Sequence, residues 1–373
     1  MKIKKVELFR GDLPLFPPFT HASAGTVTHL KEVYLKITAE NGQFGWGEVR
    51  GNCEYVTGDT PERIIAVLVH RLCPLLIGQP ALNRNQINGL LNKQIAGNSA
   101  ARALIDMALF DLSGQLMNQP GHILLGGKQH SKLPSDATIA FGTVDEAEKE
   151  AINYLNEGFR TLKLRVGMNL SLDRDRVKVV RKVINEMDLN DMIQFCIDAN
   201  QSWTTKEALS RLKTFEPFRV DWFEQPVKAS DLMGLKKIAE QTSVTIVADE
   251  SCKSPEDVMQ IAGMSLADAV HLKYIKAGTI ERLKKMIAIA DSAHLPYMLG
   301  QMDEGRLATA AIVQIAASAA TNHFEVCCFR RVRPEDDPAK GLILDNGSII
   351  VSDKPGLGIT MDTDLLTPIT SFS

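Results

Sequence analysis

From Ser131 onward the chain repeats one pattern eight times: a short apolar run, then an amphipathic helical stretch. The runs are "DATIAFG", "FRTLKLRVG", "MIQFCIDAN", "RVDWFEQP", "SVTIVADES", "ADAVHLKYI", "LPYMLGQM" and "NHFEVCCF", most of them about 20 to 30 residues apart. Strands that alternate with helices at this interval belong to a parallel sheet covered by its own crossovers, and eight units fit a closed barrel better than an open sheet. A chain of 373 residues exceeds one ordinary core and leaves room for a second unit.

That second unit precedes the barrel. The first 60 residues alternate β-rich runs with turns, "KKVELFR" and then "EVYLKITAENGQFGWGEV", where Asn41-Gly42 has hairpin chemistry. From Pro61 to about Leu125 the period becomes helical, and "SAARALIDMALFDLSGQLM" follows Asn98-Ser99, a candidate N-cap region. Strands followed by helices indicate an α+β unit. The expected division is an α+β cap over residues 1–128, a barrel over 129–325 and a C-terminal segment, 326–373, whose turn-rich β signals return to the cap.

Charge narrows the function. Lys and Arg number 42 against 45 Asp and Glu, with no long run of either sign, which argues against nucleic acid or a membrane surface as partner. The six cysteines form no CxxC pair and read as reduced thiols of a cytoplasmic protein. The start, "MKIKKVELFRGDLPL", lacks an apolar signal core, and no apolar run approaches membrane-spanning length.

Three consecutive runs finish in acids: Asp198 in "CIDAN", Glu224 in "WFEQP" and Asp249 in "VADES". They stand 26 and 25 residues apart (224 − 198 and 249 − 224), one βα unit each, which puts all three at the C-terminal ends of neighbouring strands. Barrel active sites are built at that end. Three converging carboxylates repel one another unless a hard divalent cation lies between them, and an all-oxygen set suits Mg²⁺ or Mn²⁺.

Lys273 lies 24 residues beyond Asp249 (273 − 249) and faces the same mouth, while the offset of Lys276 from it turns that residue away as a surface lysine. In "TLKLRVG" the leucines share one face and Lys163 and Arg165 the other. Alone, that heptapeptide reads as an edge strand with a solvated face. Placed opposite Lys273, its charged face points into the mouth, and cations flanking a metal site describe a pocket for an anionic, carboxylate-bearing small substrate.

The order of a KxK-like pair, DAN, EQP, DES and a strand-six lysine, behind "GWGE" ending at Glu48 and "ARALIDMALFDLSG", resembles the enolase superfamily, and within it the muconate lactonizing enzyme subgroup. The resemblance covers essentially the whole chain. It implies an α/β fold, a modified TIM barrel of (β/α)7β type with an α+β N-terminal capping domain. It also implies Mg²⁺ on Asp198, Glu224 and Asp249, Lys273 as acid/base, and Glu250 as its ion-pair partner. Cap loops at roughly Leu13–Gly25 and Gly51–Gly58, carrying His21, Tyr55 and Thr57, would close over the site, and Glu325 or Arg330 on the eighth strand would face ligand. Barrels of this size often oligomerise, so a homo-oligomer is expected.

The chain departs from the subgroup at Arg165, where a second proton-moving lysine is normal. A guanidinium stays protonated and serves as a clamp for a carboxylate or enediolate rather than as a base. The expected reaction is Mg²⁺-dependent removal of the proton α to a carboxylate, giving an enediolate, with racemisation or epimerisation of a small amino-acid derivative as the outcome. Racemisation wants two bases, so Lys163 or water would have to replace the missing lysine. Dehydration of a hydroxy acid, including a hydroxyproline-like one, or cycloisomerisation needs Lys273 alone. A barrel kept only for binding is opposed by the presence of all three acids together with Lys273.

Overall fold

A computed structural model describes residues 1–21 and 25–373, with His21 described by its backbone only. Eight parallel strands form the barrel: Asp136–Ile139, Thr161–Arg165, Gln194–Asp198, Trp222–Glu224, Thr245–Ala248, Ala269–Lys273, Tyr297–Gly300 and Phe324–Glu325, referred to below as strands one to eight. Each pairs with the next, and a parallel bridge between Ser135 and Phe324 joins the last to the first. Each of the seven gaps holds one long helix, the sixth preceded by the short turn Tyr274–Ala277, so the order is (β/α)7β.

The helices start where local chemistry allows. Thr143, Asn169, Thr204, Asp231, Ser254 and Thr279 each cap one of the first six with a side-chain oxygen on a first-turn amide. A cap of this kind is worth ~1 kcal/mol. The seventh helix, Arg306–Ala316, begins at Gly305, which has no side chain to offer. Glu48 supplies it from the N-terminal unit: its Oε2 accepts from the Ala308 amide at 2.7 Å, the place a local cap would bond. A Cβ on Gly305 would stand 2.2 Å from Glu48 Oε1, so the glycine admits the borrowed cap.

The N-terminal unit is an antiparallel sheet of Ile3–His21, Gly25–Ala39 and Phe44–Arg50, extended at its edge by Thr367–Phe372 from the other end of the chain. Helix Ser99–Met117 lies across this sheet, buried on nearly every side. "GWGE" explains the close approach: Cβ atoms on Gly45 and Gly47 would fall 2.2 Å from the Leu112 nitrogen and 2.3 Å from the Leu104 oxygen. Asn98 precedes the helix as expected, but in a left-handed conformation and without a side-chain cap bond.

One expectation needs correction. Leu13–His21 is strand, not loop: it pairs with the strand from Gly25 as far as His21 and Gly25, with a register shift between Pro14 and Phe19 that accommodates the prolines, and the rest of the expected loop lies outside the described residues. Gly51–Gly58 does leave the sheet and carries one helical turn, Glu54–Thr57. Among the described residues no helix is long and apolar enough to cross a membrane.

Candidate active site

Strand two shows how the sequence builds the site. Leu162 and Leu164 face outward under the helices and are fully buried, each contributing about 1.5–3 kcal/mol by burial. Lys163 and Arg165 face the barrel axis, so the edge-strand reading fails because the strand is interior and paired on both sides. Lys163 is 1% exposed, and its ammonium meets Asp136 at 3.5 Å, Glu224 at 3.3 Å and Glu325 in a short contact. Burial works against that charge, yet Glu224, Glu325 and Asp136 raise its pKa well above the ordinary lysine value.

Arg165, two residues nearer the mouth, donates from Nη1 to Asn200 Oδ1 at 2.9 Å, and its Nη2 lies 3.8 Å from Asp303. Its guanidinium sits 5.9 Å from the centre of the Phe19 ring, which reaches in from the hairpin. Burial opposes its charge, but Asp303 and Asp198 more than offset this.

The three predicted acids stand at the ends of strands three and four and just past strand five, all buried. Asn200 takes up a left-handed conformation, open to asparagine, and clasps Asp198 with its backbone amide at 2.8 Å and its side-chain amide at 2.9 Å. Gln225 of "EQP" ties the neighbouring loops together, accepting from the amides of Asp249 and Ser251 and donating to Ser251 Oγ. Burial and then repulsion from Glu224 push Asp198 up to about 7. Burial acts on Glu224 in the same direction, but Lys163 and His271 hold it at about 2. Asp249, against the same burial, is held well below the usual range by Lys273 and Lys276.

Lys273 ends strand six, diametrically across an eight-membered ring from strand two. Its Nζ lies 2.8 Å from Asp249 Oδ2 and 3.6 Å from Glu325 Oε2. Its observed ion-pair partners are therefore Asp249 and Glu325 rather than Glu250. Glu250 is buried with Oε2 unbonded, and burial together with Asp249 and Asp198 pushes it up to about 8.

Lys276 also corrects the sequence reading. Strand alternation stops at Lys273, because Tyr274–Ala277 is a helical turn. Three residues along a helix return to nearly the same face. Lys276 is accordingly buried, 2.5 Å from Asp249 Oδ1, and donates as well to the carbonyls of Asp249 and His271.

His271 and Asp136 escaped the sequence reading. His271 bonds Glu224 Oε1 through Nδ1 at 2.8 Å, and its Nε2 is 3.3 Å from Glu325 Oε2. A Cβ on Gly300 of strand seven would lie 2.2 Å from that Nε2, so the glycine makes room for the ring. Its position two residues before Lys273 was the available signal. Among the described residues, Glu224, His271 and Glu325 form the one group of three such side chains whose ligand atoms all lie within 4.8 Å of one another.

Of the other expected residues, Tyr55 and Glu325 line the central cavity with Arg165, Asp198 and Lys273. Thr57 does not; its hydroxyl turns back to Cys53 O and accepts from the Asp59 amide. Arg330 points away, pairing with Glu157 over the Tyr154 and Phe159 rings. The side chain of His21 lies outside the described residues. The cavity measures about 20 Å³, room for roughly one water, and Tyr55 lines both it and an outer hollow of about 470 Å³.

The arrangement offers carboxylate oxygens from three strand ends and an amine across from a guanidinium. Asp198, Glu224 and Asp249 are buried and repel one another, the chemical character of a hard-cation site, while their oxygens here bond Asn200, Lys163, His271, Lys273 and Lys276 instead of gathering as closely as those of Glu224, His271 and Glu325. Lys273 presents an amine to the cavity, a group type able to carry a proton, and Arg165 presents a guanidinium, a group type suited to gripping an anion.

The model of the mandelate racemase/muconate lactonizing enzyme N-terminal domain matches residues 5–126, and that of the enolase C-terminal domain-like family matches residues 146–365. The chain is 34% identical to the L-Ala-D/L-Glu epimerase of Clostridium acetobutylicum over 367 residues, 96% of this chain and 99% of the relative. It superposes on the crystal structure of the N-succinyl Arg/Lys racemase of Bacillus cereus with a TM-score of 0.92, at 30% identity, covering 100% of this chain and 99% of that one. The dipeptide epimerase of Cytophaga hutchinsonii, solved with Mg and the dipeptide D-Ala-L-Val, gives a TM-score of 0.92 at 28% identity over 100% of both chains.

Proposed function

Since the chain belongs to the mandelate racemase/muconate lactonizing enzyme group of the enolase superfamily, we propose that it is a Mg²⁺-dependent racemase or epimerase of a small amino-acid derivative, a dipeptide or an N-acylated amino acid. The observation that carries this reading is the convergence of Lys273 with Asp198, Glu224 and Asp249 at the C-terminal mouth of one barrel.

Asp198, Glu224 and Asp249 would hold the metal. A Mg²⁺ held there would supply positive charge for the substrate carboxylate. Against burial, Asp249, Glu325 and Glu224 hold Lys273 charged, so its ammonium first releases a proton to solvent; the free Nζ takes the α-proton, the C–H electron pair moves into the carboxylate to give an enediolate, and Arg165 faces the developing anion. Tyr55 and the hairpin bearing Phe19 exclude water from above.

Arg165 also favours a second reading, elimination of water from a β-hydroxy acid derivative, which needs one base only. Chiral analysis of L-Ala-L-Glu, D-Ala-L-Val and N-succinyl-L-arginine incubated with enzyme and Mg²⁺ separates the two. A new epimer that fails to form when the metal is chelated supports the first reading. A keto or imino product from a β-hydroxy analogue, with no epimer from any probe, supports the second.

A further inference from the structure

The two sides of the mouth are chemically unequal. On one side stands Lys273, an amine at the very end of its strand, lining the cavity. On the other the cation lining the mouth at the same level is Arg165, whose guanidinium does not give up a proton at any working pH. The neighbouring lysine cannot stand in for it. Lys163 also lines the cavity but at its floor: it lies two residues deeper, about 6.6 Å down the strand, is 1% exposed and is gripped by three carboxylates, Asp136, Glu224 and Glu325.

Of the acidic, phenolic and thiol groups lining the cavity, Asp198 is held by Asn200, and Glu325 is shared between Lys163 and Lys273. Asp303 has its charge divided between Arg50 at 3.5 Å and Arg165 at 3.8 Å. Burial raises the Tyr55 phenol and the Cys328 thiol above their ordinary values, so neither is ionised near neutrality.

Resting on the reading above, we propose that α-proton transfer in this protein is one-sided: Lys273 both removes and returns the proton on its own face of the α-carbon, while Arg165 clamps the anion between those events. The C–H bond breaks to Lys273 Nζ and reforms from the same atom, so the step is balanced without any further reactant. Inversion requires a proton from water on the Arg165 face, and exchange therefore outruns it. The substrates favoured are those whose anion a planar, two-pronged donor can grip.

The test is proton NMR in D₂O with Mg²⁺, run separately on L-Ala-L-Glu, L-Ala-D-Glu and both antipodes of N-succinyl-arginine. For one antipode of a pair, deuterium is expected in recovered, uninverted material at least about tenfold faster than the epimer forms, with little exchange of the other. Arg165→Lys, which puts an amine on the silent face, is expected to raise inversion relative to exchange. Deuterium confined to the inverted product, or equal exchange of both antipodes with retention, overturns the proposal and leaves the epimerase reading intact. No exchange with any probe, in protein whose melting responds to Mg²⁺, overturns the epimerase reading for these substrate classes and the inference with it.

Discussion

Lys273 Nζ donates to Asp249 Oδ2 at 2.8 Å, which ties the proposed proton carrier to one of the proposed metal ligands across adjacent strands. Asp249 thereby has two tasks, and Lys276 holds its other oxygen at 2.5 Å. A divalent cation entering the site shares that carboxylate with two ammonium groups. Binding should therefore be visible as added stability: at 100 times Kd one site contributes about 2.7 kcal/mol. Urea unfolding with and without Mg²⁺ reads this directly, and Asp249→Asn should remove the increment. An equal increment in that variant would place the metal elsewhere.

Lys276 makes a prediction of its own. It is buried, with Asp249 and two carbonyl oxygens as acceptors. Lys276→Met leaves those acceptors without their donor and should cost about 3–5 kcal/mol, the range for breaking a buried pair. A loss under about 1 kcal/mol in urea unfolding would mean the lysine is not held as described.

Glu48 should make the protein less stable as pH rises. Burial pushes its carboxyl from 4.5 to about 8, with Asp337 adding repulsion. Between those values the unfolded chain has released the proton and the folded chain has kept it, so folding binds protons and stability falls across the window from about 4.5 to about 8. Glu48→Gln keeps an acceptor for the Ala308 amide. Its stability should therefore decline less steeply between pH 5 and 8, measured by chemical unfolding at several pH values; an unchanged slope would refute the assignment.

Two glycines give a matched pair. Gly47→Ala forces a Cβ to within 2.3 Å of the Leu104 carbonyl and should cost about 1–3 kcal/mol or more by overpacking. Gly89 lies inside helix Arg84–Gln94 with nothing within 4 Å of its added Cβ. Gly89→Ala should add about 0.5–1 kcal/mol, since alanine loses less entropy in a helix. Melting curves of the two variants should move in opposite directions.

Much of this molecule could be read before it was folded. The eight apolar runs became eight strands, and the spacing of Asp198, Glu224, Asp249 and Lys273 placed them at one mouth, because a βα repeat carries register over long stretches. The failures are local. Lys276 was lost where a strand gave way to a helical turn, since the side-chain period changes there. His271 and Asp136 were lost because a charged network inside a barrel depends on which strands become neighbours, and sequence spacing does not report that. The strand that runs to His21 was expected as a cap loop because the family resemblance, not the residues, supplied that expectation. The cap that Glu48 lends to the seventh helix joins residues 260 positions apart, with only the bare Gly305 to hint at it.

The central claim is that Lys273 moves the α-proton. Solvent exchange measures it without waiting for a product: wild-type enzyme and Lys273→Ala, each with Mg²⁺ in D₂O, are given L-Ala-L-Glu and N-succinyl-L-arginine, and the α-proton signal is followed. The account predicts exchange in the wild type and a loss of about 10²–10⁴-fold or more in the variant, with the Mg²⁺-dependent stability still present. Exchange at an undiminished rate in Lys273→Ala would contradict it.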